Sequence, residues 1–101
     1  MIRKVTAPLL VGFLAWFMWM HQQDNSQGTF KQSWKQFDVK FPDKPKCEEA
    51  IGRQVESAAA KAKEKQGVKV ETTKSGVTMV SGTTIIIGRY FCYEEGYDPR
   101  K

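Results

Sequence analysis

An uncharged apolar run near the start of the chain constrains its folding more than any other feature. The run extends from Val5 to Met20, follows Arg3 and Lys4, and precedes a polar remainder. A helix that spans a bilayer needs about 17–25 apolar residues, so this run fits a short span. A buried core helix is disfavoured, because the run has no polar face and a small domain cannot cover it all round. The run therefore predicts a transmembrane helix.

Two alternatives remain for the fate of this segment. Trp16 and Trp19 lie at its far end, where indole rings favour the membrane–water boundary, and this indicates an uncleaved signal-anchor. The alternative is a signal peptide cleaved after Gly28, which would release a secreted protein. In both cases Arg3 and Lys4 stay in the cytoplasm and the remainder is exported. We expect a single-pass protein of the inner (plasma) membrane with a periplasmic C-terminal domain.

Three parts follow from this reading. Residues 1–23 form the membrane anchor, and residues 24–29, which are polar and rich in turn formers, form a flexible tether. Residues 30–101 form a small exported domain. The net charge of the whole chain is +5, which is too mild for a nucleic-acid binder, and export separates the chain from nucleic acid.

The exported part begins with a strand and a helix. Phe37, Val39 and Phe41 alternate with polar residues, which predicts a strand over 36–41. Asp43 and Pro45 then suit the start of a helix that runs to about residue 66. The apolar positions of that helix recur at spacings of three and four and form one stripe, which consists of Cys47, Ala50, Ile51, Val55, Ala58, Ala59 and Ala62.

Strand-forming segments occupy the rest of the chain. Residues 68–72 alternate, a hairpin loop follows at 74–76, and residues 77–93 are rich in β-branched and aromatic side chains. Ser81 and Gly82 predict either a tight turn or a bulge, so one bulged strand and two strands both remain open. We expect an α+β fold in which a transmembrane helix precedes a β-α-β-β(-β) domain with one helix on a mainly antiparallel sheet. The tail after Tyr93 reads as polar and loose.

The two cysteines predict one disulfide. Cys47 lies on the apolar stripe of the helix and Cys92 on the strand face that the helix should cover, and export favours oxidation. A redox pair or a metal site is disfavoured, because the cysteines lie far apart in sequence and the only histidine, His21, is close to the apolar run. We therefore expect a structural bridge and no cofactor.

Aromatic residues predict a contact surface. One sheet face and one alanine-rich helix cannot bury all the large rings of this domain. The surplus is covered by the segment Phe30–Trp34 or forms a partner surface. The expected partner surface consists of Trp34, Phe91, Tyr93 and Tyr97.

Five lysines predict a second candidate surface. A basic edge can be formed by Lys61, Lys63, Lys65, Lys69 and Lys74. Such lysines also keep a helix end soluble and protect an edge strand from pairing.

The sequence indicates no catalytic group. Ser57 and Lys61 are one helical turn apart, and we interpret them as a solvated pair rather than as a nucleophile and its base.

The sequence thus predicts a non-enzymatic, membrane-anchored accessory or adaptor protein of a bacterial-type envelope complex, which docks on a protein partner through its aromatic residues. The alternative is a module that binds anionic lipid or cell-wall polymer through the basic edge. No small-molecule substrate is expected.

Overall fold

One helix packs on one face of a five-stranded antiparallel sheet. The computed structural model describes residues 14–101. Its elements are β1 (Trp16–Ser26), β2 (Thr29–Phe41), α1 (Lys44–Lys63), β3 (Lys69–Thr73), β4 (Gly76–Ser81) and β5 (Thr84–Glu94). The strand order is β2-β1-β5-β4-β3. The predicted α+β class, with a single helix on an antiparallel sheet, is confirmed.

The first strand departs from the predicted boundaries. Residues 16–23, assigned to the anchor, and residues 24–26, assigned to the tether, form β1 between β2 and β5. The physical reason is that β2 and β5 both form backbone hydrogen bonds with β1. These bonds keep its polar second half in the sheet without apolar side chains. Over residues 14–101 the order of the elements is therefore β-β-α-β-β-β rather than β-α-β-β(-β).

The transmembrane prediction falls largely outside the described residues. Residues 1–13 lie before them, and Trp16–Met20, the end of the apolar run, belong to β1. Within residues 14–101, no helix is long and apolar enough to cross a bilayer.

Two tight turns set the register of the sheet. Gln27 and Gly28 join β1 to β2, and both have a positive φ, as the central residues of a type I′ turn require. Gly82 and Thr83 join β4 to β5, with a φ of 60° at Gly82. The segment 77–93 is therefore two strands joined by a turn. The predicted strand over 36–41 is the end of the longer β2.

The helix begins and is buried as the pattern predicts. The Asp43 carboxylate accepts a hydrogen bond of 2.9 Å from the Lys46 backbone N–H and caps the first turn. The helix ends at Lys63, slightly before the expected end. Of the predicted stripe, Ala58 is half-buried and the other members are buried. Cys47, Ala50, Ile51 and Val55 pack with Met18, Val77 and Tyr90 of the sheet to form the core.

A disulfide joins α1 to β5. Cys47 and Cys92 are bonded, with their Cα atoms 6.1 Å apart, and Cys47 is completely buried. The predicted bridge is confirmed, and it fixes the first turn of the helix to a central strand.

Candidate docking surface

The side of the sheet away from α1 carries its own set of rings. Met18, Met20 and Tyr90 face the helix. Because successive strand residues point to opposite faces, Trp19 in β1 and Phe91 in β5 point away from it. These two residues lie opposite each other in the β1–β5 ladder. The outer face therefore has an apolar centre built on the two central strands.

Five rings form a continuous row on this outer face. Trp34 lies 6.4 Å from Trp19 and 5.6 Å from Phe91 between ring centroids. Phe91 stacks on Tyr93 at 6.0 Å, and Tyr93 meets Tyr97 at 4.6 Å. We call these five residues the aromatic surface. The structure thus brings together all four residues that the sequence singled out, and it adds Trp19.

Trp34 is the ring that links β2 to the rest of the row. It is half-buried, and the His21 ring lies 4.6 Å from it. The His21 Nε2 atom is 3.1 Å from the Gln32 Oε1 atom. Phe30, from the segment expected to cover this face, remains 55% exposed. Trp34 therefore covers Trp19, whereas the Phe30 side chain is exposed to solvent.

Trp19 is buried although no helix covers it. Its exposed fraction is only 3%, because Trp34 lies on one part of it and the Arg100 guanidinium lies 5.3 Å from its ring centroid. Within residues 14–101, its indole Nε1–H is buried and has no hydrogen-bond acceptor. A buried donor of this kind is costly, and native proteins leave few of them.

The segment after β5 folds onto the aromatic surface rather than remaining loose. The Glu95 backbone N–H donates to the Ala15 carbonyl at 2.8 Å, which extends the pairing of β1 with β5 by one residue. Beyond it, Asp98 accepts two side-chain hydrogen bonds from Arg100, at 2.8 and 2.7 Å, and one from the Arg100 backbone N–H at 2.9 Å. This pair fixes the guanidinium that lies over Trp19.

The electrostatics of the tail follow from these contacts. The hydrogen bonds from the Arg100 side chain, and then from its backbone N–H, lower the pKa of the Asp98 carboxyl from 3.8 to about 2. Burial raises the pKa of the Tyr93 phenol, and the neighbouring Tyr97 raises it further. The Asp98 shift follows from its pairing with Arg100, and the Tyr93 shift follows from burial beside the Tyr97 ring.

The five lysines of the predicted basic edge lie between the end of α1 and the start of β4. Lys61 and Lys63 lie in the last turn of α1, Lys65 follows in the connection, and Lys69 begins β3. Lys74 lies in the β3–β4 turn. It lines an open cleft of about 410 Å³ beside the disulfide, together with Lys44 and Glu48 from the first turns of the helix. All five predicted lysines are exposed.

Possible catalytic and metal groups are dispersed. Ser57 and Lys61 are both exposed on α1. Over residues 14–101, no group of three His, Cys, Asp or Glu residues is placed to hold a metal ion. The most concentrated feature of the described domain is the aromatic surface.

The sequence did not indicate that Trp19 belongs to this surface or that His21 and Arg100 lie against its rings. Trp19, His21 and Gln23 alternate with Met18 and Met20, which is a period-two signal. That signal was hidden because the first residues of β1 continue the apolar run. No sequence signal placed Arg100 on Trp19.

Comparison of the chain with protein-family models, with curated proteins and with solved structures finds no match.

Proposed function

We propose that this chain is a non-enzymatic adaptor whose aromatic surface docks on a protein partner of the cell envelope. The observation that carries the proposal is the row of five rings on the sheet face that α1 leaves uncovered. Aromatic side chains are enriched at the centres of protein interfaces, where they bring large buried areas at little cost in side-chain entropy.

The composition of the surface supports a protein rather than a purely ionic partner. Trp34, Phe91 and Tyr93 are half-buried, so their orientations are held by their neighbours before binding. Tyr97 is 54% exposed at the end of the row. Its phenol has an apolar ring and a hydroxyl group, which suits the rim of an interface.

Position-specific cross-linking tests this proposal. A photoreactive phenylalanine analogue replaces Tyr97 in one variant and Lys63, on the helix, in a matched control. In cells, we expect the Tyr97 position to give an adduct of defined mass with an envelope protein and the Lys63 position to give none. Trp34→Ala should weaken the adduct. Equal adducts from both positions would contradict the proposal.

The competing function is binding of anionic lipid or cell-wall polymer through the lysines. Salt separates the two, because screening weakens contacts between exposed charges and largely spares burial of rings. We expect the Tyr97 adduct to persist at raised salt. Lys63→Glu and Lys69→Glu should leave it unchanged, whereas a lysine-based contact would be lost in both variants.

We also propose that the N-terminal apolar run holds the domain at the membrane, outside the cytoplasm. Support comes from Arg3 and Lys4 before the run. Because β1 begins at Trp16, the apolar residues before it, from Val5 to Ala15, are fewer than the ~17–25 of a full span. A charged start followed by a run of about 10–14 apolar residues suits an export signal that carries the following domain across the membrane.

Two measurements test this location. A reporter fused after Lys101 should be active only outside the cytoplasm. Mass spectrometry of the mature protein should find Trp16–Ser26 retained, because cleavage after Gly28 would remove the strand between β2 and β5. A mature chain that starts at Thr29 would overturn the proposal.

A further inference from the structure

The geometry points to the Arg100 side chain as a displaceable occupant of the aromatic surface, whose place over Trp19 is taken on docking by an arginine or lysine of the partner. This inference rests on the proposed function and names the chemistry of the partner. The occupied position is the Trp19 ring, which now receives the Arg100 guanidinium at 5.3 Å.

The Arg100 side chain is held weakly enough to leave. Its side-chain hydrogen bonds within the described structure are local, to the Asp98 carboxylate two positions earlier in the chain. It lies over the Trp19 ring, 5.3 Å from the ring centroid. The Arg100 side chain is 58% exposed, so a partner can reach it without opening the core.

Charge explains why the replacement is a cation. The face of an indole ring attracts a cation, and arginine is the side chain most often found there. Arg100 now pairs with Asp98 through its side chain. When the Arg100 side chain leaves, the Asp98 carboxylate loses this partner and is free to pair with another cation. An incoming arginine or lysine then meets both an aromatic face and negative charge.

The Trp19 indole gives an independent sign that the occupied state is incomplete. Its Nε1–H is buried in the described structure without an acceptor. A peptide that enters beside Trp19 carries backbone carbonyl groups, which can accept from this donor. The tail offers the ring a cation but no acceptor, so a partner segment gains one hydrogen bond that the tail does not make.

Nuclear magnetic resonance of the Trp19 indole N–H tests the inference in the full chain. Arg100→Ala should shift this resonance and increase its exchange with solvent, whereas the neighbouring control Lys101→Ala should not. N-acetylarginine amide should then shift the resonance in the Arg100→Ala protein. N-acetylcitrulline amide, a neutral molecule of nearly the same shape, should bind about two- to fivefold more weakly. Wild-type protein should respond less to either probe.

Two results of this experiment would contradict the inference. An indole resonance that Arg100→Ala leaves unmoved would show that the tail does not cover Trp19, and equal responses to the two probes would remove the cation from the argument. Unchanged signals from β1 and β5 verify that the variant is folded. No partner is present in this experiment, so its failure is distinct from the failure of cross-linking at Tyr97.

Discussion

Cys47 shows how much a single residue contributes to this small domain. Its side chain is completely buried, and its bond to Cys92 closes a loop with a sequence separation of 45. In the chain-entropy model, a loop of this length stabilises the folded state by about 4 kcal/mol. The bridge holds α1 against the sheet, where the stripe of alanines offers little apolar area.

The double variant Cys47→Ser with Cys92→Ser should therefore lower the free energy of unfolding by about 2–5 kcal/mol. Urea unfolding followed by circular dichroism measures the change, and the fully reduced wild-type protein provides the matched comparison. We expect docking per folded molecule to survive, because neither cysteine belongs to the aromatic surface. An unfolding free energy equal to that of the oxidised wild type would contradict a stabilising role.

Asp98 is the residue whose titration reports on the tail. Its folded-state pKa of about 2 lies below the ordinary 3.8, so its pairing stabilises the folded tail above the ordinary value and is lost as the pH falls through about 2. Carbon-13 shifts of the Asp98 carboxyl should show this midpoint. Arg100→Ala should return the midpoint to near 3.8, and Lys101→Ala should change it little. An unchanged midpoint in Arg100→Ala would exclude the pair.

At the scale of the elements, the start of α1 depends on one side chain. Asp43 accepts the Lys46 backbone N–H, one of the donors that a helix start leaves unpaired. Asp43→Ala should cost about 1 kcal/mol of stability, whereas Asp43→Asn should be nearly neutral because asparagine caps equally well. Urea unfolding of both variants measures this. Equal losses would indicate that the carboxylate charge, rather than the cap, matters.

The close approach of β4 and β5 constrains a second position. A Cβ atom at Gly76 would lie 2.9 Å from the Gly88 carbonyl oxygen, whereas a Cβ atom at Gly52 in α1 meets nothing within 4 Å. Gly76→Ala should therefore destabilise the domain by about 1–3 kcal/mol. Gly52→Ala should stabilise it by about 0.5–1 kcal/mol, since alanine favours a helix interior. Thermal unfolding of the two variants measures the change in melting temperature. Changes of the same sign in both variants would contradict this reasoning.

At the scale of the whole molecule, β1 holds the sheet together. It pairs with β2 on one side and β5 on the other, and Met18 and Trp19 are among its most buried residues. A chain that starts at Thr29 should lose cooperative unfolding, because β2 then has no strand to pair with. A chain that starts at Leu14 should keep it. Near-ultraviolet circular dichroism distinguishes them, and a native-like spectrum from the shorter chain would contradict this role.

Local patterns in the sequence determined the helix, the later strands and the bridge. The period of the apolar residues located the buried face of α1, and Asp43 located its start. The placement of Cys47 and Cys92 on faces that meet was enough to predict their bond. These features depend on residues close in sequence or on the period of one element, and such signals can be read without coordinates.

Only the tertiary structure decided the identity of β1 and the assembly of the aromatic surface. The composition of the apolar run is equally suited to a membrane helix and to a central strand. Trp16–Met20 belong to the sheet because they pair with β2 and β5. The contact of Arg100 with Trp19 joins positions far apart in the chain. It depends on the strand order and on the path of the tail, and neither leaves a local signal in the sequence.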